Sequence, residues 1–168
     1  MNNMRLALYQ PDIPQNTGTM LRMAACLDVA VDIIEPCGFV LNDKRMKRSG
    51  MDYLDQTELV RHTSWDAFNS NRLKDNYNRQ QNLQPRRLIL LSTKATDTYV
   101  NFNFQPDDIL MVGRESAGVP DDVHQAVDHS VLIPMAAGVR SLNIAVSAAM
   151  VLGEALRQTG GFPVPSTV

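Results

Sequence analysis

The sequence predicts an α/β fold, an open and mostly parallel sheet flanked by helices. Three observations lead there. Short branched-aliphatic runs recur along the chain, each bounded by polar residues, proline or glycine. Segments of helical pattern lie between them, and such alternation favours a parallel sheet. The length of 168 residues, with 44% hydrophobic and 20% charged residues, suits a single globular domain.

In chain order, Arg5–Tyr9 (RLALY) reads as the first strand. A helix opens near Asn16, a suitable cap, and ends near Leu27; Gly18 within it allows close backbone approach. Val29–Ile34 is the second strand, and a helix runs through Ser64–Asn71. Lys74–Pro85 is polar and rich in Asn and Gln, and reads as a surface loop. Arg87–Ser92, Ile109–Val112 and Val131–Ile133 are further strands, and a short helix follows Pro120, a residue suited to a first turn. The last helix spans Ser141–Thr159, with Ser141 as cap and Gly160–Gly161 as stop. Residues 1–159 are thus expected to form one domain, and 160–168 a mobile tail.

In that last helix Asn143, Ser147, Glu154 and Gln158 fall in one narrow stripe, while aliphatic residues and alanines fill most of the circumference. A helix covering only its own sheet carries a wider polar face. The pattern predicts packing on a second element, most simply another copy of the chain.

No apolar run approaches the roughly 20 residues of a membrane span, and the first residues lack the pattern of a signal peptide. Cys26 and Cys37 cannot build a disulfide framework or a four-thiolate zinc site, and His62, His124 and His129 show no metal-ligand spacing and read as surface or loop residues. A reduced, cytoplasmic, metal-free protein is expected. Sixteen basic and eighteen acidic residues give a net charge of −2, which argues against a general polyanion binder but leaves room for a local basic patch.

Familiar nucleotide motifs fail. The first strand-to-helix turn, QPDIPQNTG, has the lone Gly18 rather than a dinucleotide-binding glycine triplet. Gly113–Gly118 has the glycine spacing of a phosphate loop, but Val119–Pro120 stand where Lys and Ser or Thr are needed. Glu115 occupies the position a nucleophile elbow reserves for serine.

Three constellations remain. Pro14–Arg22 (PQNTGTMLR) presents Arg22 away from the apolar side of its helix, as a solvated cation or one facing a phosphate-bearing ligand. Ile109–Pro120 (ILMVGRESAGVP) runs a buried strand into a glycine-bounded polar turn, the place where open α/β sheets bind ligands. Ile133–Asn143 (IPMAAGVRSLN) leads into the last helix and sets Asn143, a poor helix former, in its first turn.

Taken in order, NTGTMLR, VGRESAGVP and IPM…SLNIAV resemble motifs 1, 2 and 3 of the SPOUT class of RNA methyltransferases. Ile33–Tyr53 (IIEPCGFVLNDKRMKRSGMDY) resembles more closely the small single-domain tRNA ribose methyltransferases that act on the wobble pyrimidine, position 34. The resemblance spans nearly the whole chain and departs from the common pattern at Val112, where an aromatic residue is frequent, and at Gly153, where a tyrosine often precedes the glutamate.

The resemblance implies a C-terminal trefoil knot, an obligate homodimer and S-adenosyl-L-methionine as methyl donor. It places the cofactor against Leu91, Ser92 and Thr93; Gly113, Arg114, Glu115 and Gly118; Ile133, Pro134 and Met135; and Ser141, Leu142 and Asn143. It implies catalytic roles for Arg22, Ser141 and Asn143 in 2′-O-methylation of tRNA. Lys44, Arg45, Lys47 and Arg48, which alone would read as a solvated face, and Arg140 become candidates for RNA phosphate. Two other readings stay open from sequence: 2′-O-methylation at another tRNA or rRNA site, and RNA binding by the same fold without turnover.

Overall fold

The aliphatic runs pair side by side into one sheet. The computed structural model describes residues 3–41, 58–79 and 83–164. Along the chain these form β1 (Arg5–Tyr9), α1 (Pro14–Cys26), β2 (Ala30–Ile34), β3 (Leu59–His62) and α2 (Trp65–Arg79), then β4 (Leu88–Leu91), β5 (Asp97–Thr98), β6 (Ile109–Val112), α3 (Asp121–Ala126), β7 (His129–Leu132) and α4 (Ile144–Thr159). The sheet has seven strands in the order β3-β2-β1-β6-β4-β7-β5. Every neighbouring pair is parallel.

Strand side chains alternate between two buried faces. Leu6, Leu8, Val31, Ile33, Ile89, Leu110 and Val112 pack against Met20, Leu21 and Ala24 of α1 and the apolar side of α4. Ala7, Tyr9, Ile34, Leu88, Leu90, Ile109 and Met111 pack on the other side with Phe68 of α2 and Val123 of α3. Cover on both faces explains why the strands read as continuous aliphatic runs.

The two edge strands, β3 and β5, escape the sequence reading because LVRH and DT lack an aliphatic signature. Pairing fixes them instead, β3 with β2 and β5 with β7. His62 is a correction: at the end of β3 it is buried, with Nε2 2.8 Å from Asp32 Oδ1. Likewise α2 runs on through Arg79, into the segment expected to be a loop. Tertiary anchors outweigh its poor composition. Buried Arg72 donates to Asp128 Oδ2 at 2.7 Å, and Asn76 exchanges side-chain bonds with the Arg86 N–H (2.7 Å) and C=O (3.0 Å).

Two helix starts also differ. Pro14, not Asn16, begins α1, with Ile13 at the cap and no side-chain cap bond. Asn143, not Ser141, caps α4, its Oδ1 accepting from Ala145 N at 2.9 Å and Val146 N at 3.2 Å. A poor helix former is therefore well placed, just outside the helix. Gly160 ends α4 in the left-handed region, φ 63°.

Candidate active site

Beyond the carboxyl ends of β4, β6 and β7 lies a cavity of about 540 Å³. This is the ligand-binding edge of an open α/β sheet, beside the point where β1 and β6 lead to opposite halves. Three connections converge on it. The one after β4 brings Leu91, Ser92 and Thr93; the one after β6 brings Gly113, Arg114, Glu115 and Gly118; the one after β7 brings Ile133, Met135, Ser141, Leu142 and Asn143. Pro134 and Arg140 lie in that last connection but are not lining residues, and Arg140 is exposed. Arg22 is exposed on α1 and also does not line the cavity. Lys44, Arg45, Lys47 and Arg48 lie outside the described residues.

Asn143 joins the connection after β7 to α1. Its Oδ1 is committed to the α4 amides, so its Nδ2 is the atom left to donate, and it gives a 3.0 Å bond to Asn16 Oδ1. Asn16, expected only to cap α1, thereby becomes part of the cavity wall together with Ile13. Composition could not reveal this, because the two asparagines are 127 positions apart. Lys94 and His124 also line the cavity. The Nε2 of His124 is buried without a hydrogen-bond partner among the described residues, so His124 is not the plain surface histidine expected.

The turn after β6 folds back on itself. Arg114 and Gly118 exchange backbone bonds at 2.9 Å in both directions. A Cβ on Gly113 would stand 2.7 Å from the Gly118 carbonyl carbon, and Gly118 itself has a φ of +64°. Both glycines are therefore required by the turn. The result is a bare stretch of backbone facing the cavity.

A carboxyl pair flanks this turn. Asp12 Oδ1 accepts from Glu115 N at 3.1 Å, and Asp12 N donates to Glu115 Oε2 at 3.3 Å. Hydrogen bonding with Glu115 holds the Asp12 carboxyl down at about 2, helped by Ser116 and the backbone amides. Burial, with the neighbouring Asp12 carboxyl next, pushes Glu115 up. Two carboxyl groups this close do not ionise independently. Nothing in QPDIPQN marks Asp12 as more than a turn residue.

Apolar Leu91, Ile133 and Leu142, a backbone-lined turn and a few fixed polar groups suit a flat heterocycle with polar substituents. Comparison with known proteins agrees with this geometry. The family model described as the SpoU rRNA Methylase family matches residues 3–153. A tRNA (cytidine(34)-2′-O)-methyltransferase of Beijerinckia indica is 58% identical over 92% of this chain and 91% of its own. A solved structure concerned with 2′-OH methylation of C/U34 on tRNA is 35% identical, with a TM-score of 0.79 over 92% of this chain and 95% of that one. The SpoU methyltransferase AviRb of Streptomyces viridochromogenes, solved with the cofactor AdoMet, is 26% identical with a TM-score of 0.80, covering 94% of this chain and 58% of that one. A match over nearly the whole domain, on top of the convergent cavity, places this chain in the SpoU rRNA methylase family.

Proposed function

We propose that the protein transfers a methyl group from S-adenosyl-L-methionine to the ribose 2′-hydroxyl of the pyrimidine at position 34 of tRNA. The observation that carries this is the convergence of the three connections on one cavity, closed on one side by the Asn143–Asn16 bond. The curated relatives of the same length and the AdoMet-bound neighbour support it.

The residues present fit the donor. Gly118, which lines the cavity, has open space where a Cβ would stand, and Glu115 Oε1, buried without a hydrogen-bond partner among the described residues, is an acceptor for a polar group. When bound, S-adenosyl-L-methionine supplies a methyl on a sulfonium, an activated leaving group. Leu91, Ser92, Thr93, Ile133, Met135 and Leu142 would hold the nucleoside, with Pro134 fixing the backbone between Ile133 and Met135, while Arg114 and Glu115 border it. Ser141 and Asn143 would set the nucleophile in line, and alignment alone contributes several kcal/mol. Arg22 would orient the RNA phosphate and hydroxyl and stabilise charge developing on oxygen. A guanidinium is a poor base at neutral pH, so we give Arg22 no proton-abstracting role. Arg140 and the Lys44–Arg48 cations would hold RNA phosphates.

The functional unit is a homodimer. On α4 the residues Val146, Ala149 and Met150 form an exposed stripe that half-buried Gly153 continues, and Leu142 extends it at 41% exposure. The same family reading carries the trefoil threading between β6 and α4, with which the β1-β6-β4-β7 strand order agrees. Among the described residues no helix is long and apolar enough to cross a membrane, and a tRNA substrate supports a cytoplasmic reaction. The test is to map ribose methylation after incubating tRNA, purified from cells lacking this protein, with the enzyme and methyl donor. New 2′-O-methylation confined to position 34 is expected; methylation elsewhere, or none, would refute the reading.

A further inference from the structure

The turn that faces the cofactor cavity is held from behind by one residue that belongs to none of the three motifs. Asp12, in the β1–α1 connection, accepts from Glu115 N at 3.1 Å and from Ser116 N at 3.4 Å. The Ser116 hydroxyl donates to the same carboxylate. Arg114 Nε lies 3.8 Å from Asp12 Oδ2. In return the Asp12 N–H donates to Glu115 Oε2 at 3.3 Å. One carboxylate thus sets three successive residues of the turn.

Asp12 is itself fixed. The Gly38 N–H donates to Pro11 C=O at 2.9 Å, drawing the segment after β2 against the β1–α1 connection. A Cβ on Gly38 would stand 2.8 Å from Asp12 Cβ and 2.9 Å from Asp12 Cα, so only glycine allows this approach. Four residues beyond Asp12, in the first turn of α1, Asn16 meets the cap of α4. The β1–α1 connection and the first turn of α1 therefore link the turn after β6 to the N-terminus of α4.

We infer that Asp12 is a positioning residue for methyl transfer, acting through Glu115 and the Gly113–Gly118 turn to set the wall against which the cofactor lies. The inference rests on the cofactor reading given above. Hydrogen bonds from backbone amides to a carboxylate are stronger than those between neutral groups, and they add to the backbone pair between Arg114 and Gly118 that closes the turn. Held this way, Glu115 keeps its place among the residues that line the cavity. Asp12 need not touch the cofactor to govern how well it is held.

The test is Asp12→Asn, which keeps shape but turns an acceptor into an N–H₂ group facing Ser116 N–H. S-adenosylhomocysteine affinity by calorimetry should fall about tenfold, as expected for loss of a charge-assisted bond. The tRNA dissociation constant should stay within about twofold of the parent and the thermal midpoint should hold. Gly38→Ala, which crowds Asp12 from behind without altering a hydrogen-bonding side chain, should shift S-adenosylhomocysteine affinity in the same direction. Asp12→Asn that binds S-adenosylhomocysteine like the parent would overturn the inference, and so would equal losses for S-adenosylhomocysteine and tRNA. A parent protein that binds S-adenosylhomocysteine but leaves tRNA unmodified would instead refute the substrate reading, and the Asp12 comparison would still stand.

Discussion

At Asn143 a single side-chain amide performs two tasks, capping α4 with its oxygen and reaching Asn16 with its nitrogen. Asn143→Ala should therefore lower stability by about 1 kcal/mol for the lost cap, seen as a reduced urea midpoint. Asn143→Asp keeps the cap acceptors but offers no donor to Asn16, so it should restore stability without restoring methylation. Equal rescue of both would separate Asn143 from the site. Arg22 lies apart from the cavity lining on the exposed face of α1, as its position on the helical wheel predicts. Arg22→Ala should abolish methylation in a tRNA assay while S-adenosylhomocysteine affinity stays nearly unchanged; full activity would remove Arg22 from the reaction. Residues of this kind were legible because each motif is a local string. Asp12 was not, since its partner is 103 positions away and its own neighbourhood reads as a plain turn.

Among the elements, α4 shows most clearly what a pattern does and does not reveal. Its excess of apolar residues predicts a second partner, and Val146 at 50% and Met150 at 38% exposure are residues such a partner would cover. Val146→Asp together with Met150→Asp should convert a dimer to monomer in sedimentation and remove activity, because charges at a buried apolar interface cannot be accommodated cheaply. A parent that sediments as a monomer would defeat the dimer proposal at once. The stripe itself was misjudged at one point: Ser147, assigned to the polar side, is buried at 8% exposure. The helix α2 and the edge strands β3 and β5 were shortened or missed because contacts with distant residues, not local propensity, hold them.

For the whole molecule, a net charge of −2 means that tRNA must be drawn by cations gathered on one side rather than by overall attraction. tRNA affinity should fall steeply between low and physiological salt, with a log–log slope that counts the phosphates neutralised. Replacing Lys44, Arg45, Lys47 and Arg48 by alanine together should flatten that slope, and an unchanged slope would exclude them from the interface. By itself the sequence determined the parallel α/β class, the positions of the three motifs and, through their order, the family, because strand and turn signals are local and survive without knowledge of the fold. Only the tertiary structure decided the strand order, the true cap of α4, the burial of His62 and the pairing of Asp12 with Glu115. Those depend on which segments meet across the sheet. Such meetings are set by packing and hydrogen bonding between distant residues, and no short stretch of chain contains them.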